Sequence, residues 1–400
     1  MRGPEKEPKD EMFEPFHDTP VSRTGPAPAG LKELLELPGL LSLAADLPAA
    51  ELFPMSAVAQ ASARLLAEPE YGTPFQPLKR QVVDLMAMRG VRCRPEQIVL
   101  TTGVEGSLDL LGRLLLDPGS PVLIEDTLSE KVRAALPRQP DILTVSTDPE
   151  TGIDVDQVES LLEAGARPAF LYVIPEGHDP LGVSLGLEKR LRLLELARAW
   201  EVPILEDDTF GFLSYEGHPE PPLRALDNGW VVYLGSFSML LSPALRAGWI
   251  VLPDDPAGRL ALLPSAADLD LPSFSHRTIS AFLEAGHLPE HLETLRAAYR
   301  RRRDTMLRML QEHFPREVRW SRPASGLYVW VELPEGITAA ELLREAVALE
   351  NVSFTPGPVF AARADGHADR GLRLSFGNNP PHRIEEGVLR LARVLAAKLA

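Results

Sequence analysis

The chain has 400 residues, 44% hydrophobic and 24% charged, the balance of a globular protein with room for one large core and a smaller second one. A formal net charge of −16 argues against nucleic acid and anionic membrane as partners, and no window reaches the roughly 18 uninterrupted apolar residues of a membrane-spanning helix. The single cysteine, Cys93, excludes an intramolecular disulfide framework, reads as a small core thiol and fits a reducing cytoplasm.

In chain order, residues 1–28 are charged and Pro-rich without an apolar h-region, so they read as a disordered arm rather than a signal peptide. A short helix is expected from Leu31 to Leu37, stopped by Pro38-Gly39. The segment LLSLAADLPAAELFP follows, Leu40 to Pro54, and then a helical period from Met55 to Leu66. Tyr71-Gly72 reads as a turn.

From Gln97 the pattern alternates. Apolar runs at Ile98–Leu100, Val122–Ile124, Ile142–Val145, Ala169–Ile174, Pro203–Leu205, Val231–Leu234 and Trp249–Leu252 are separated by helical periods such as Leu108–Leu116, Val155–Leu162 and Leu187–Ala199. Seven buried strands with helical crossovers predict a mostly parallel sheet covered on both faces, with its ligand site beyond the carboxyl ends of the strands. After a long helix from Pro289 to His313, the strands Leu327–Leu333 and Leu372–Phe376 and the helices Ala339–Leu349 and Ile384–Leu399 predict a smaller α+β region. The expected organisation is an arm (1–28), an N-terminal segment joining the small domain (29–54), a large α/β domain (55–285) and a small C-terminal domain (286–400).

The most informative stretch is WVVYLGSFSMLLSPALRAGWIVLP, Trp230 to Pro253. A strand breaks into Gly235-Ser236-Phe237-Ser238, a turn follows with Pro243 and Leu245-Arg246, and Gly248 opens a second strand. This resembles the G-S-x-S-K segment of fold-type I pyridoxal-phosphate (PLP) aminotransferases of class I/II. Leu40 to Pro54 is similar to the L-S-F-x-G-G-L-P-x-x-E-L-F-P segment of the aminoadipate/kynurenine-type members. The resemblance covers about Leu31 to the end. It implies the aspartate aminotransferase-like fold, a homodimer and a cytoplasmic enzyme. The N-terminal arm is shorter than a winged-helix domain, which argues against the regulators that fuse one to this fold.

What the resemblance implies for the cofactor site departs from the family at most positions that would touch PLP. The Schiff-base lysine belongs at 239, where the residue is Met239. A thioether forms no imine and carries no proton, and loss of the acid–base group alone typically costs about 10²–10⁴-fold in rate. The phosphate-binding turn keeps Gly103, after Thr101 and Thr102, but continues with Val104 and Glu105. A carboxylate there costs about 4 kcal/mol per charge pair at an effective dielectric of 20. Ser236, Ser238 and Arg246 remain as phosphate ligands, and Arg246 is expected to pair with Glu105 where no phosphate is bound.

Leu128 stands where an aromatic residue stacks on the ring. The N-P-T-G motif appears as Asp179, Pro180, Leu181, Gly182, and an ionised Asp only accepts where Asn donates to the ring phenolate. The tyrosine of D-x-x-Y, the second donor, is Phe210. Two glycines of the entry segment are Ala45 and Asp46. Asp207 matches the partner of the pyridinium nitrogen, or else is a strand-end Asp kept by hydrogen bonds. Arg373 matches the arginine that binds a substrate α-carboxylate, or else is a strand surface residue. Tyr71 matches the tyrosine that reaches a partner subunit's phosphate, or else is a surface turn residue.

Three functions fit this pattern. One is a catalytically degenerate homologue with a structural, regulatory or ligand-binding role, with PLP bound weakly or not at all, as a homodimer or with an active paralogue. Another is a PLP- or pyridoxamine-phosphate-dependent transaminase or lyase acting on an amino acid and a 2-oxo acid, supported by Asp207, Arg246 and Arg373. The last is a repurposed acidic pocket for a cation, drawing on Asp46, Glu105, Asp126, Glu176, His178, Asp179 and Asp207, although no two of these have recognisable metal-ligand spacing.

Overall fold

Seven apolar segments pair into one sheet: β1 (Ile98–Thr101), β2 (Pro121–Glu125), β3 (Asp141–Val145), β4 (Leu171–Val173), β5 (Ile204–Asp207), β6 (Val231–Ser236) and β7 (Gly248–Val251). Their spatial order is β1-β7-β6-β5-β4-β2-β3, parallel throughout except that β7 runs antiparallel to both its neighbours. The computed structural model describes residues 37–45, 47–67, 76–217, 219–254, 258–264, 273–362 and 367–399. The expected arm, most of the helix expected from Leu31, and the candidate residues Asp46 and Tyr71 lie outside them.

β4, β5 and β6 are buried at every residue, as continuous apolar runs require of strands covered on both faces. The strand period of two divides them between two layers. Val232 and Leu234 face the core under helix α3 (Val104–Leu115). Tyr233 faces a second core with helices α2 (Gln76–Met88) and α6 (Ser273–Glu284), and Val231 a third with α4 (Val155–Glu163) and α5 (Leu187–Trp200). Helix α1 (Met55–Ala67) packs on α6. Cys93 is half-buried against the second core, and burial raises its thiol pKa. Among the described residues no helix is long and apolar enough to cross a membrane.

The smaller layer is an antiparallel sheet of β8 (Arg319–Trp320), β9 (Tyr328–Glu332), β10 (Thr355–Pro356) and β11 (Gly371–Ser375), ordered β8-β9-β11-β10. It packs with α7 (Leu288–His313), α8 (Ala339–Glu350) and α9 (Pro381–Leu399) around one core. Leu41–Ser42 pairs in parallel with Val352–Ser353, and Leu41, Leu43 and Ala49 join that core.

The two layers meet where the turn after β4 lies against the start of β9. Gly177 and Gly326 both have positive φ, and a Cβ on Gly177 would lie 2.9 Å from the Gly326 nitrogen. Gly182 (φ 69°) has the same restriction, since its Cβ would fall 2.3 Å from the Tyr328 carbonyl oxygen. Only glycine permits this approach. It brings residues 177–182 and β9–β11 to one place at the carboxyl ends of the large sheet.

Candidate functional site

A cavity of about 110 Å³ opens at the carboxyl ends of β5 and β6 and beside the first turn of α3. Its floor is set by β1 and α3. Gly103 (φ 114°) caps α3, and the Ser107 hydroxyl donates to the Gly103 carbonyl at 3.0 Å while meeting the Thr101 hydroxyl at 2.9 Å. Gly248 on β7 must also be glycine, because a Cβ there would approach the Gly103 Cα to 2.8 Å. Val104 and Glu105 open the helix and both line the cavity. The carboxylate of Glu105 folds back over the turn, with one oxygen 3.6 Å from where a Gly103 Cβ would stand. A helix N-terminus favours an anion, and this chain supplies its own.

Asp207 ends β5 and accepts from three protein donors. One oxygen accepts from the Tyr172 hydroxyl at 2.7 Å, and the other from the Thr209 amide at 2.9 Å and hydroxyl at 2.6 Å. Burial raises its pKa despite these three donors, and the Tyr172 phenol is held far above its usual range by burial and by Asp207. On the next strand the Ser238 amide donates to the Ser236 hydroxyl at 3.1 Å. Met239 lines the cavity half-buried and packs on the core containing Phe210 and Tyr328. Those two rings meet edge to face at 5.8 Å.

The turn after β4 commits its charges inward as well. Arg373 on β11 donates to Asp179 at 2.7 Å and to the Ala44 carbonyl at 3.1 Å, with its guanidinium over the rings of Tyr328 and Phe360. His178 and Glu125 are both about 1% exposed, with nearest atoms 3.1 Å apart, close enough for charge attraction but not aligned as a hydrogen bond. Burial pulls the imidazole pKa down, and the Glu125 carboxylate, with Asp179 and Asp126, more than reverses this, so it lies above the ordinary value. Glu176 accepts from Arg190 at 2.9 Å and from Ser184 and Ser325, each at 2.7 Å, which ties the turn to the smaller layer.

The structure thus brings Val104, Glu105, Asp179, Asp207, Phe210, Ser236, Ser238 and Met239 together, with Gly103 just beneath. It does not bring Leu128 or Arg246. Leu128 is fully buried in the core under α3, so it stacks on nothing in the cavity. Arg246 closes the turn Pro243–Leu245 in a left-handed conformation (φ 47°) that leaves it exposed. The expected Glu105–Arg246 pair is therefore absent: among the described residues neither side chain has an ion-pair partner within 4.0 Å, and a hydrated guanidinium needs none.

Of the described residues expected at one acidic site, Glu105, Asp179 and Asp207 face the cavity while Asp126, Glu176 and His178 do not, and among the described residues no three His, Cys, Asp or Glu form a group able to hold a metal. Ser129, Lys131, Thr209 and Tyr172 were not foreseen. Thr209 carried a signal, since a residue two places after an Asp commonly donates back to it.

The family model for aminotransferase class I and II matches residues 46–391. The 2-aminoadipate transaminase of Thermus thermophilus is 38% identical over 380 residues, covering 92% of this chain and 94% of that protein. Aromatic-amino-acid aminotransferase 1 of Thermococcus litoralis is 34% identical, covering 92% and 91%. Among solved structures, the α-aminoadipate aminotransferase LysN of Thermus thermophilus, complexed with N-(5'-phosphopyridoxyl)-L-leucine, superposes with a TM-score of 0.83 at 37% identity over 92% of this chain and 94% of that one. With the fold, the strand-end site and matches of this length, the chain belongs to the class I and II aminotransferases.

Proposed function

We propose that this chain is a catalytically degenerate member of its family, with a ligand-binding or regulatory role in place of transamination. The observation that carries the reading is Met239, a half-buried thioether lining the cavity and packed on the core that contains Phe210 and Tyr328, at the position the family motif gives to lysine. PLP, the family's cofactor, supplies an electron sink for amino-acid chemistry when bound, and the residues present do not fit it. The phosphate end would meet the Glu105 carboxylate, and the phenolate end would meet a carboxylate at Asp179 where the family places a donor. A cavity of about 110 Å³ is also well below the roughly 300 Å³ at which ligand pockets begin. A homodimer, or assembly with an active paralogue, is the setting in which such a copy would act.

The test is an absorption spectrum with added PLP, recorded for the native chain and for Met239→Lys. Neither is expected to develop a protein-bound cofactor band or transaminase turnover. A stable band in the native protein would overturn the reading in favour of a PLP- or pyridoxamine-phosphate-dependent enzyme. A band and turnover in Met239→Lys alone would reduce the change to one residue.

A further inference from the structure

A second hollow, of about 530 Å³, shares with the strand-end cavity the turn that follows β5: Thr209 and Phe210 line the cavity, Gly211 and Phe212 the hollow. The two differ in charge. Glu105, Asp179 and Asp207 face the cavity, whereas Arg89, Arg296 and Arg300 face the hollow, with Glu293 the one acid among its described lining residues. Arg89 follows the last turn of α2, and its side chain is 5% exposed; Arg296 and Arg300 lie about one turn apart on α7. Arg89 donates from Nε and Nη2 to Asp208 at 2.8 and 2.9 Å, and Arg296 from Nε to the Phe212 carbonyl and from Nη1 to Glu293. Asp208 and Glu293 thus offset two of the three cations and leave one positive charge in excess, in a chain whose net charge is −16. Among the described residues, Nη1 of Arg89 and Nη2 of Arg296 make no hydrogen bond, and the exposed Arg300 makes neither hydrogen bond nor ion pair.

A lone arginine on open surface is a hydrated charge and implies no ligand. Here it stands over a concave space, where the field of the excess charge is focused, beside two guanidinium groups already fixed in place by their own partners. We propose that this hollow is a second binding site, taking a small organic anion with one carboxylate or phosphate head on an apolar body. Arginine donors suit either head. Met88, Phe212 and Ala297 supply apolar surface for the body, and about 530 Å³ lies within the roughly 300–1,000 Å³ of ligand pockets. The proposal goes beyond the reading above and does not depend on it, since no residue that lines the strand-end cavity lines the hollow.

The experiment compares benzoate, phenyl phosphate and benzamide by calorimetry on the full chain at fixed ionic strength. At least one of the two anions should bind saturably, and benzamide about tenfold more weakly or not at all, since hydrogen bonds to a charged group carry that much discrimination. The tighter of the two anions identifies the head group. Arg300→Gln, at an exposed position, should weaken that anion about fivefold or more without moving the melting temperature. Ala297→Glu, also exposed and on the same helix, sets a further carboxylate in the hollow and should abolish saturable binding. No saturable binding of either anion, benzamide bound as tightly as they are, or anion binding that either variant leaves unchanged would overturn the inference. The PLP spectrum of the native chain is independent of these outcomes, so failure of the functional reading and failure of this one are distinguishable.

Discussion

Replacing Asp207 by Asn distinguishes a residue kept for a cofactor from one kept for the fold. Asp207 is 6% exposed and accepts from Tyr172 and from both donors of Thr209. Asn retains one carbonyl oxygen for Thr209, and its amide can donate to the Tyr172 hydroxyl, which turns to accept. The number of bonds is conserved. What is lost is their charge assistance, about 1 kcal/mol for each bond. What is gained is relief from burying a charge, the cause of the raised pKa, at about 1.4 kcal/mol for each tenfold change in proton affinity.

The two effects oppose, so Asp207→Asn should cost less at neutral pH than the loss of charge assistance alone would. Asp207→Ala leaves the buried Tyr172 hydroxyl and the Thr209 amide without their acceptor, and should cost about 3 kcal/mol. The sign with pH also follows. A carboxyl whose folded pKa is raised contributes most stability at acid pH and loses it as pH rises from its unfolded value, about 3.9, through the folded one. Asp207→Asn should therefore compare better with the native chain at pH 7 than at pH 4. Urea titrations of the three proteins, with and without PLP, read all of this. An Asn variant as damaged as the Ala variant, or one that abolishes a PLP-induced stabilisation present in the native chain, would refute the reasoning.

The buried His178–Glu125 pair predicts a second pH effect. The imidazole pKa is raised in the fold, so its contribution is fully present below the unfolded value of about 6.5 and is lost as pH rises through the folded value. Melting temperature should fall over that interval in the native chain and stay flatter in His178→Gln, which also leaves Glu125 uncompensated at a cost of about 3 kcal/mol at pH 6. Parallel profiles would remove the pair as the cause. Arg190 is fully buried and donates to Glu176, Pro175, Leu185 and Pro221, so Arg190→Met should cost about 3–5 kcal/mol in a denaturant titration.

The seven strands of the large sheet were legible because strands buried on both faces are written as short unbroken apolar runs, and each run overlaps a strand in the structure, although β3, at the sheet edge, is buried only at Val145. Helix α2 escaped although it buries Leu78, Val82, Leu85 and Met86 at helical spacing, since it has no strand-end landmark beside it. At the site, motif positions fixed which residues stand at strand ends, but not where their side chains point. A left-handed turn sends Arg246 to solvent, and the core takes Leu128. Partners were least visible. Asp179 and Arg373 are 194 residues apart, and only the glycine-lined contact between the two layers brings them together.

One substitution, Met239→Lys, is not expected to restore the family's chemistry. Met239 packs on the core that contains Phe210 and Tyr328, and all three line the cavity, so a lysine at 239 would exchange a packed thioether for an ammonium against that apolar core. The carboxylates facing it are engaged elsewhere, Asp179 with Arg373 and Asp207 with Tyr172 and Thr209. Glu105 alone among them makes no hydrogen bond or ion pair with a described residue, and it occupies the helix N-terminus that a phosphate would need. Asp179 and Met239 thus have partners in charge and packing, whereas Glu105 has none among the described residues, so restoring 239 alone leaves the carboxylate at the phosphate-binding turn unchanged.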